Sequence, residues 1–236
     1  MACGFPCSTT PLAVTGGLTF DTLTAGVGES CGTTAAGAAY CWGGIPGWGA
    51  LGNGTTAGSA PSPTLVSGGL TFRDVQAEGA TPCGLTTTGQ AYCWGGNVAG
   101  QVGDGTTTNR TVPVPVAGGH TFATLASSSG QNNINAHMCA ITTAGDAYCW
   151  GGNFRGELGA VTATTCNGST PCSTVPVLVT GGHSWRALAV GLEFTCGITT
   201  DDAVYCWGAN GFGQLGNGST TNSSVPVLVS GTFGGP

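Results

Sequence analysis

The chain has 236 residues, of which 6% are charged: four arginines and no lysine against ten acids, for a formal net charge of −6. About a quarter is usual in soluble domains, so surface polarity falls to Thr, Ser, Asn and Gly. No basic face is offered to a phosphate backbone, and apolar runs such as Val177-Leu178-Val179 fall far short of the ~20 residues of a membrane helix; neither nucleic acid nor a membrane span is expected.

From the N-terminus, Met1-Ala2-Cys3-Gly4 lacks the basic and apolar regions of a secretory signal. Any such segment is expected to have been removed or to lie outside this sequence. Cys7-Ser-Thr-Thr-Pro11-Leu-Ala-Val14-Thr-Gly-Gly parallels Cys172-Ser-Thr-Val-Pro176-Val-Leu-Val179-Thr-Gly-Gly, so residues 1–17 read as the tail of a module. Four full modules follow at about 18–67, 70–117, 120–180 and 183–230, and 231–236 opens another. The whole chain is read as one repeat domain, because a period of 52 to 57 residues between Cys41, Cys93, Cys149 and Cys206 belongs to repeat arrays and propeller blades.

Each module opens on Gly-Gly and an apolar strand: Phe20-x-x-Leu23, Phe72-x-x-Val75, Phe122-x-x-Leu125 and Trp185-x-x-Leu188. A hairpin comes next. In the second module Cys83-Gly84-Leu85-Thr86 and Gln90-Ala91-Tyr92-Cys93 flank Thr87-Thr88-Gly89, a three-residue loop whose last position is left-handed and takes Gly without strain. Gly37 and Gly145 hold the same place, and Asp202 in the fourth module tolerates it. Counting outward from the loop puts Cys83 directly opposite Cys93, so Cys31–Cys41, Cys83–Cys93, Cys139–Cys149 and Cys196–Cys206 are expected as cross-strand disulfides. The hairpin's second strand runs into Tyr-Cys-Trp-Gly, and after it come a Gly-rich turn ending in Leu-Gly or Val-Gly and a Pro-led strand at 63–66, 113–116, 176–179 or 226–229. Short strands bounded by Gly, Asn and Pro, with no helical periodicity, predict an all-β fold of four antiparallel blades.

Twelve cysteines fall in six close pairs, Cys3 with Cys7 and Cys166 with Cys172 completing the set. Disulfides persist in oxidising surroundings, which places the protein outside the cytoplasm, in the medium or at the cell surface. Zinc is disfavoured by the spacing and by the presence of only three His. No metal or other cofactor is expected.

Trp-Gly-x-Asn-x-x-Gly-Gln-Leu-Gly-x-Gly followed by Pro-x-x-Val, nearly complete at 207–218 and 226–229 and again at 94–105, resembles the repeat of the regulator of chromosome condensation family. The resemblance covers nearly the whole chain and implies a β-propeller, usually of seven blades, whose loops bind proteins. The Thr-rich, disulfide-bearing version resembles the family's secreted bacterial branch, which includes a β-lactamase inhibitor. The guanine-nucleotide exchange suggested by eukaryotic members conflicts with an oxidising compartment. Four hairpins leave three options: a small closed ring, an open arc, or a ring completed by assembly. Unpaired terminal strands are templates for association.

The tips between Trp-Gly and Leu-Gly differ among modules and carry Trp48, Phe154, Arg155 and Phe212, residue types favoured in binding hot spots. The third module adds two insertions, one containing His137 and one stapled by Cys166 and Cys172. A stapled loop loses less entropy on binding, although surface insertions are also tolerated without function. Trp42, Trp94, Trp150 and Trp207 recur in fixed register and are assigned to blade packing. No catalytic residue is expected, since no His stands with an acid and a nucleophile at suggestive spacing. The expected function is therefore a non-catalytic extracellular module binding a protein or glycan, with a self-assembling structural subunit and an enzyme inhibitor as alternatives.

Overall fold

The structure, a computed structural model, describes residue 10 and residues 12–26, 28–44, 47–56, 58–128, 136–162 and 164–231. Each module makes one antiparallel sheet. Blade 1 is β1 (Thr22–Ala25), β2 (Glu29–Thr33), β3 (Ala39–Gly43) and β4 (Ala60–Leu65); blade 2 is β5 (Phe72–Gln76), β6 (Cys83–Thr86), β7 (Ala91–Gly95) and β8 (Arg110–Pro115). Blade 3 is β9 (Phe122–Ser127), β10 (His137–Thr142), β11 (Ala147–Gly152), β12 (Thr165–Cys166) and β13 (Thr170–Leu178); blade 4 is β14 (Trp185–Val190), β15 (Phe194–Thr199), β16 (Val204–Gly208) and β17 (Ser223–Leu228). Strand order follows chain order except in blade 3, where β12 adds itself outside β13. The second insertion is thus a small hairpin, with Cys166 opposite Thr170, and Cys166 and Cys172 bonded across it.

The hairpin register comes out with Cys83 opposite Cys93, Gly84 opposite Tyr92 and Leu85 opposite Ala91. All four cross-strand disulfides close between directly paired residues. At the loop's last position Gly37, Gly89 and Gly145 are left-handed, as is Asp202 at φ 68°. The Pro-led strands β4, β8 and β17 are edge strands, where a residue without an N–H costs no ladder bond.

The core lies between blades. Cys31–Cys41 of blade 1 packs with Leu51 and Val66 against Phe72, Val75 and Trp94 of blade 2. The pattern repeats with Phe122 and Trp150 of blade 3 on the Cys83–Cys93 side, and with Trp185 and Trp207 of blade 4 on the Cys139–Cys149 side. Polar ties accompany the apolar ones. Phe72, Phe122 and Trp185 donate their backbone N–H to Gly37 O, Gly89 O and Gly145 O of the preceding hairpin at 2.9, 2.7 and 2.8 Å. Trp94, Trp150 and Trp207 donate Nε1 to Ala50 O, Gln101 O and Glu157 O of the preceding blade at 2.8, 2.9 and 2.8 Å. The Gly after each acceptor's neighbour lies beneath that indole, and a Cβ on Gly52, Gly103 or Gly159 would come within 2.7 to 2.8 Å of Nε1. Blade follows blade through these contacts, and no comparable packing joins blade 4 to blade 1 among the described residues.

Candidate functional site

Strand direction sorts the loops onto two faces. The first strand of each blade is innermost and the Pro-led strand lies on the outer side, with β12 beyond it in blade 3, so alternate connections emerge at opposite ends of the sheets. One face carries the disulfide hairpin loops at 34–38, 87–90, 143–146 and 200–203. The other carries the described residues of the turns between first and second strands and of the loops after Trp-Gly. Thus the tips with Trp48, Phe154, Arg155 and Phe212 and the stapled hairpin share one face.

Within these loops the side chains of an Asn and a Gln or Glu replace regular structure. Asn153 Oδ1 accepts the Leu158 N–H at 3.1 Å, and its Nδ2 donates to Ala160 O and Thr162 Oγ1 at 3.2 and 3.0 Å. Asn210 Oδ1 accepts the Leu215 N–H at 2.9 Å and Nδ2 donates to Ser219 O and Thr221 O, both at 3.0 Å. Five residues beyond each Asn's preceding Gly or Ala, a carboxyl or amide takes the N–H of the tip: Glu157 Oε2 from Arg155 N at 2.7 Å, and Gln214 Oε1 from Phe212 N at 2.8 Å. With its backbone satisfied internally, each tip turns its side chains outward. Phe154 is 53% exposed and Phe212 96%.

Two adjoining clefts lie between these tips. The larger, of about 360 Å³, is bounded by Phe154, Arg155, Ala160 to Thr162, Pro171 of the stapled hairpin, and Asn222 and Ser224 of blade 4. The smaller, of about 190 Å³, is bounded by Arg155, Glu193, Phe212, Gln214 and Asn222. Arg155 and Asn222 are common to both. The Arg155 guanidinium carbon lies 4.8 Å from the Phe154 ring centroid, a cation–π distance, and its Nε is 4.0 Å from Glu193 Oε2. Two further exposed apolar residues belong to this face, Val161 at 83% and Leu192 at 51%. Large exposed apolar groups gathered around a charge mark interaction surfaces.

Burial pushes the Glu157 carboxyl up to about 7, with the neighbouring Glu193 charge adding to it and the N–H of Arg155 opposing. Glu29, buried at the start of β2 with no hydrogen-bond partner on either oxygen among the described residues, is pushed by burial to about 8. Among the described residues no group of three or more His, Cys, Asp or Glu could hold a metal ion.

The structure sorts the expected site residues as follows. Phe154, Arg155 and Phe212 come together around the clefts. Trp48 is half-buried on blade 1 and lines neither cleft. His137 is corrected: it is no loop residue but the first of β10, fully buried, with Nε2 hydrogen-bonded to Thr195 Oγ1 of blade 4 at 2.8 Å. The apolar run that continues into Met138 draws it into the ladder. Trp94, Trp150 and Trp207 are fully buried between blades, while Trp42 is half-buried and packs on Phe20 at 5.4 Å. The Cys3 and Cys7 pair lies outside the described residues. Leu192, Val161, Glu157 and Glu193 were not singled out by sequence; the one available signal was Glu157 standing where Gln101 and Gln214 stand in sister modules.

A family model described as the regulator of chromosome condensation (RCC1) repeat matches residues 88–133 and 201–235, and a second of the same description matches 135–157 and 185–214. The chain is 29% identical over 191 residues to the ultraviolet-B receptor UVR8 of Arabidopsis thaliana, covering 79% of this chain and 41% of UVR8. It is 29% identical over 210 residues to the E3 ubiquitin-protein ligase HERC2 of Homo sapiens, covering 85% of this chain and 4% of HERC2. In structure it is similar to Prp20p of Saccharomyces cerevisiae, studied for its binding to Gsp1p and histones, with a TM-score of 0.76 at 18% identity over 94% of this chain and 53% of Prp20p. Human WBSCR16 gives a TM-score of 0.75 at 20% identity over 92% of this chain and 55% of that one. The chain thus spans less than half of these curated relatives and about half of these solved neighbours.

Proposed function

The chain belongs to the regulator of chromosome condensation (RCC1) repeat family, and on that premise we propose that it is a protein-binding module whose contact surface is the loop face of blades 3 and 4. The observation that carries this reading is the pairing of exposed Phe154 and Phe212 on either side of Arg155, with the stapled hairpin forming a wall of the same cleft. Aromatic and Arg anchors surrounded by a polar rim are the composition of binding hot spots. Prp20 has been found with Kap60 bound, which supports a protein as the partner class. The module acts by recognition without catalysis. It works outside the cytoplasm, a reading supported by ten cysteines closed as five disulfides.

The test uses immobilised wild-type chain and a Phe154→Ser/Phe212→Ser double variant, both under non-reducing conditions, against cell-surface and secreted protein fractions. The expected result is a protein retained by wild type in stoichiometric amount and lost from the variant. Equal retention on both would remove this face from the function.

A further inference from the structure

The chain's four arginines are committed to very different degrees. Arg73 Nη2 donates to the backbone oxygens of Phe122 and Ala123 at 3.0 and 2.5 Å, tying blade 2 to blade 3. Arg110 donates Nε to Asp104 Oδ2 at 2.7 Å, within a loop where Asp104 also takes the Thr106 hydroxyl. Arg186 Nη2 donates to Asp202 Oδ1 at 2.6 Å on the opposite face. Arg155 differs from all three. Its guanidinium makes no hydrogen bond among the described residues, and its nearest carboxylate stands at 4.0 Å from Nε. The chain has no lysine, so Arg155 is the cation that this loop face offers to an incoming group.

From this juxtaposition we propose that the face recognises a protruding protein segment that sets an Asp or Glu beside an aromatic or aliphatic residue, the carboxylate seated on Arg155 and its apolar neighbour between Phe154 and Phe212. The proposal rests on the protein-binding reading of this face and adds the chemistry of the partner. Three observations favour it. The terminal nitrogens of the guanidinium present two parallel N–H donors, the geometry that a carboxylate accepts in bidentate fashion. The flanking clefts, about 360 and 190 Å³, suit single side chains of a loop better than a helix laid in a groove. The local field suits a monoanion: Glu193 lies within 4.0 Å, and a phosphate dianion on a lone Arg would meet that repulsion, whereas phosphate sites gather several cations.

Glu157 completes the arrangement. Its Oε2 holds the Arg155 N–H at 2.7 Å, and because burial keeps its carboxyl protonated up to about neutrality, it fixes the tip without acting as a counter-ion to the guanidinium. The −6 net charge of the chain opposes an acidic partner only weakly at this distance, since charges beyond about 8 Å are screened at physiological salt.

The experiment selects disulfide-constrained random peptides displayed on phage against the wild-type chain, then measures synthetic peptides by calorimetry on wild type, Arg155→Gln, Arg155→Glu and the Phe154→Ser/Phe212→Ser variant. Arg155 is exposed and its guanidinium makes no hydrogen bond among the described residues, its ties being the Phe154 ring and Glu193 at 4.0 Å, and Phe154 and Phe212 are exposed, so these variants are expected to keep the wild-type melting temperature. Selected peptides are expected to share an acid next to an aromatic or aliphatic residue. Affinity should fall about tenfold or more in Arg155→Gln and in peptides with the acid changed to its amide, the loss expected for one charge-assisted hydrogen-bonded pair. Selection against Arg155→Glu should return basic peptides. Peptides without a shared acid, or bound equally by Arg155→Gln, overturn the carboxylate proposal while leaving the face intact if binding still needs the two Phe. Peptides indifferent to Phe154 and Phe212 overturn both.

Discussion

Trp207 Nε1 donates to the backbone oxygen of Glu157 at 2.8 Å, fastening blade 4 to the loop whose tip is Phe154 and Arg155. Thr195 Oγ1 donates to the same oxygen at 3.1 Å, so this junction positions the cleft as well as holding the fold. Trp207→Phe removes one of the two donors and part of a fully buried ring. A loss of about 2 kcal/mol is expected, read by chemical denaturation. Trp42→Phe, at a half-buried indole, should cost less than about 1 kcal/mol.

Gly159 and Gly182 have nearly the same backbone, φ 64° and 66°, yet a Cβ on Gly159 would stand 2.8 Å from Trp207 Nε1 while one on Gly182 meets nothing within 4 Å. Alanine at Gly182 should cost only the left-handed strain of about 1 kcal/mol. Gly159→Ala adds the displacement of a buried indole and should cost about 3 kcal/mol, with a loss of near-UV circular dichroism from Trp207 that Gly182→Ala lacks.

Glu29 and Glu157 make stability depend on pH in an unusual sense. Each carboxyl ionises near 4.5 when unfolded and is raised by burial in the fold, to about 8 and about 7. The folded state therefore binds more protons between those limits, and stability present below pH 4.5 is lost as pH rises to about 7 for Glu157 and about 8 for Glu29, at about 1.4 kcal/mol per pH unit per group. Glu157→Gln, which restores the residue found at Gln101 and Gln214, should abolish its share and raise the melting temperature at pH 8 while changing it little at pH 4. Melting curves across that range decide it.

The staple of Cys166 and Cys172 closes a short hairpin, and neither cysteine belongs to the three inter-blade clusters. Changing both to Ser should cost roughly 2 kcal/mol on the loop-entropy account and leave the blades folded. Because Pro171 and Val161 bound the cleft, affinity for a bound partner should fall several-fold through lost pre-organisation, measurable by calorimetry on the same samples.

The blades were largely legible from sequence because their signals are local. The hairpin register follows from the left-handed position at Gly89 and a two-residue period, which together put Cys83 opposite Cys93. The face was legible only in part. Phe154, Arg155 and Phe212 stand out as tips, but that they adjoin depends on how blade 4 is rotated onto blade 3, and this is set by contacts such as Trp207 with Glu157 that join different modules. His137 reads as part of a polar insertion, and only pairing with Gly151 and burial against Thr195 draw it inside. The burial of Glu29 has no sequence signature, since it follows from its sharing a strand face with Cys31, which packs against blade 2.

Hydrogen–deuterium exchange of the chain with and without a selected peptide bound reports whether recognition uses the loop face of blades 3 and 4. Slowed exchange is expected at residues 153–162, 191–193 and 210–214. Protection confined to the hairpin loops at 34–38, 87–90, 143–146 and 200–203, on the opposite face, would contradict it.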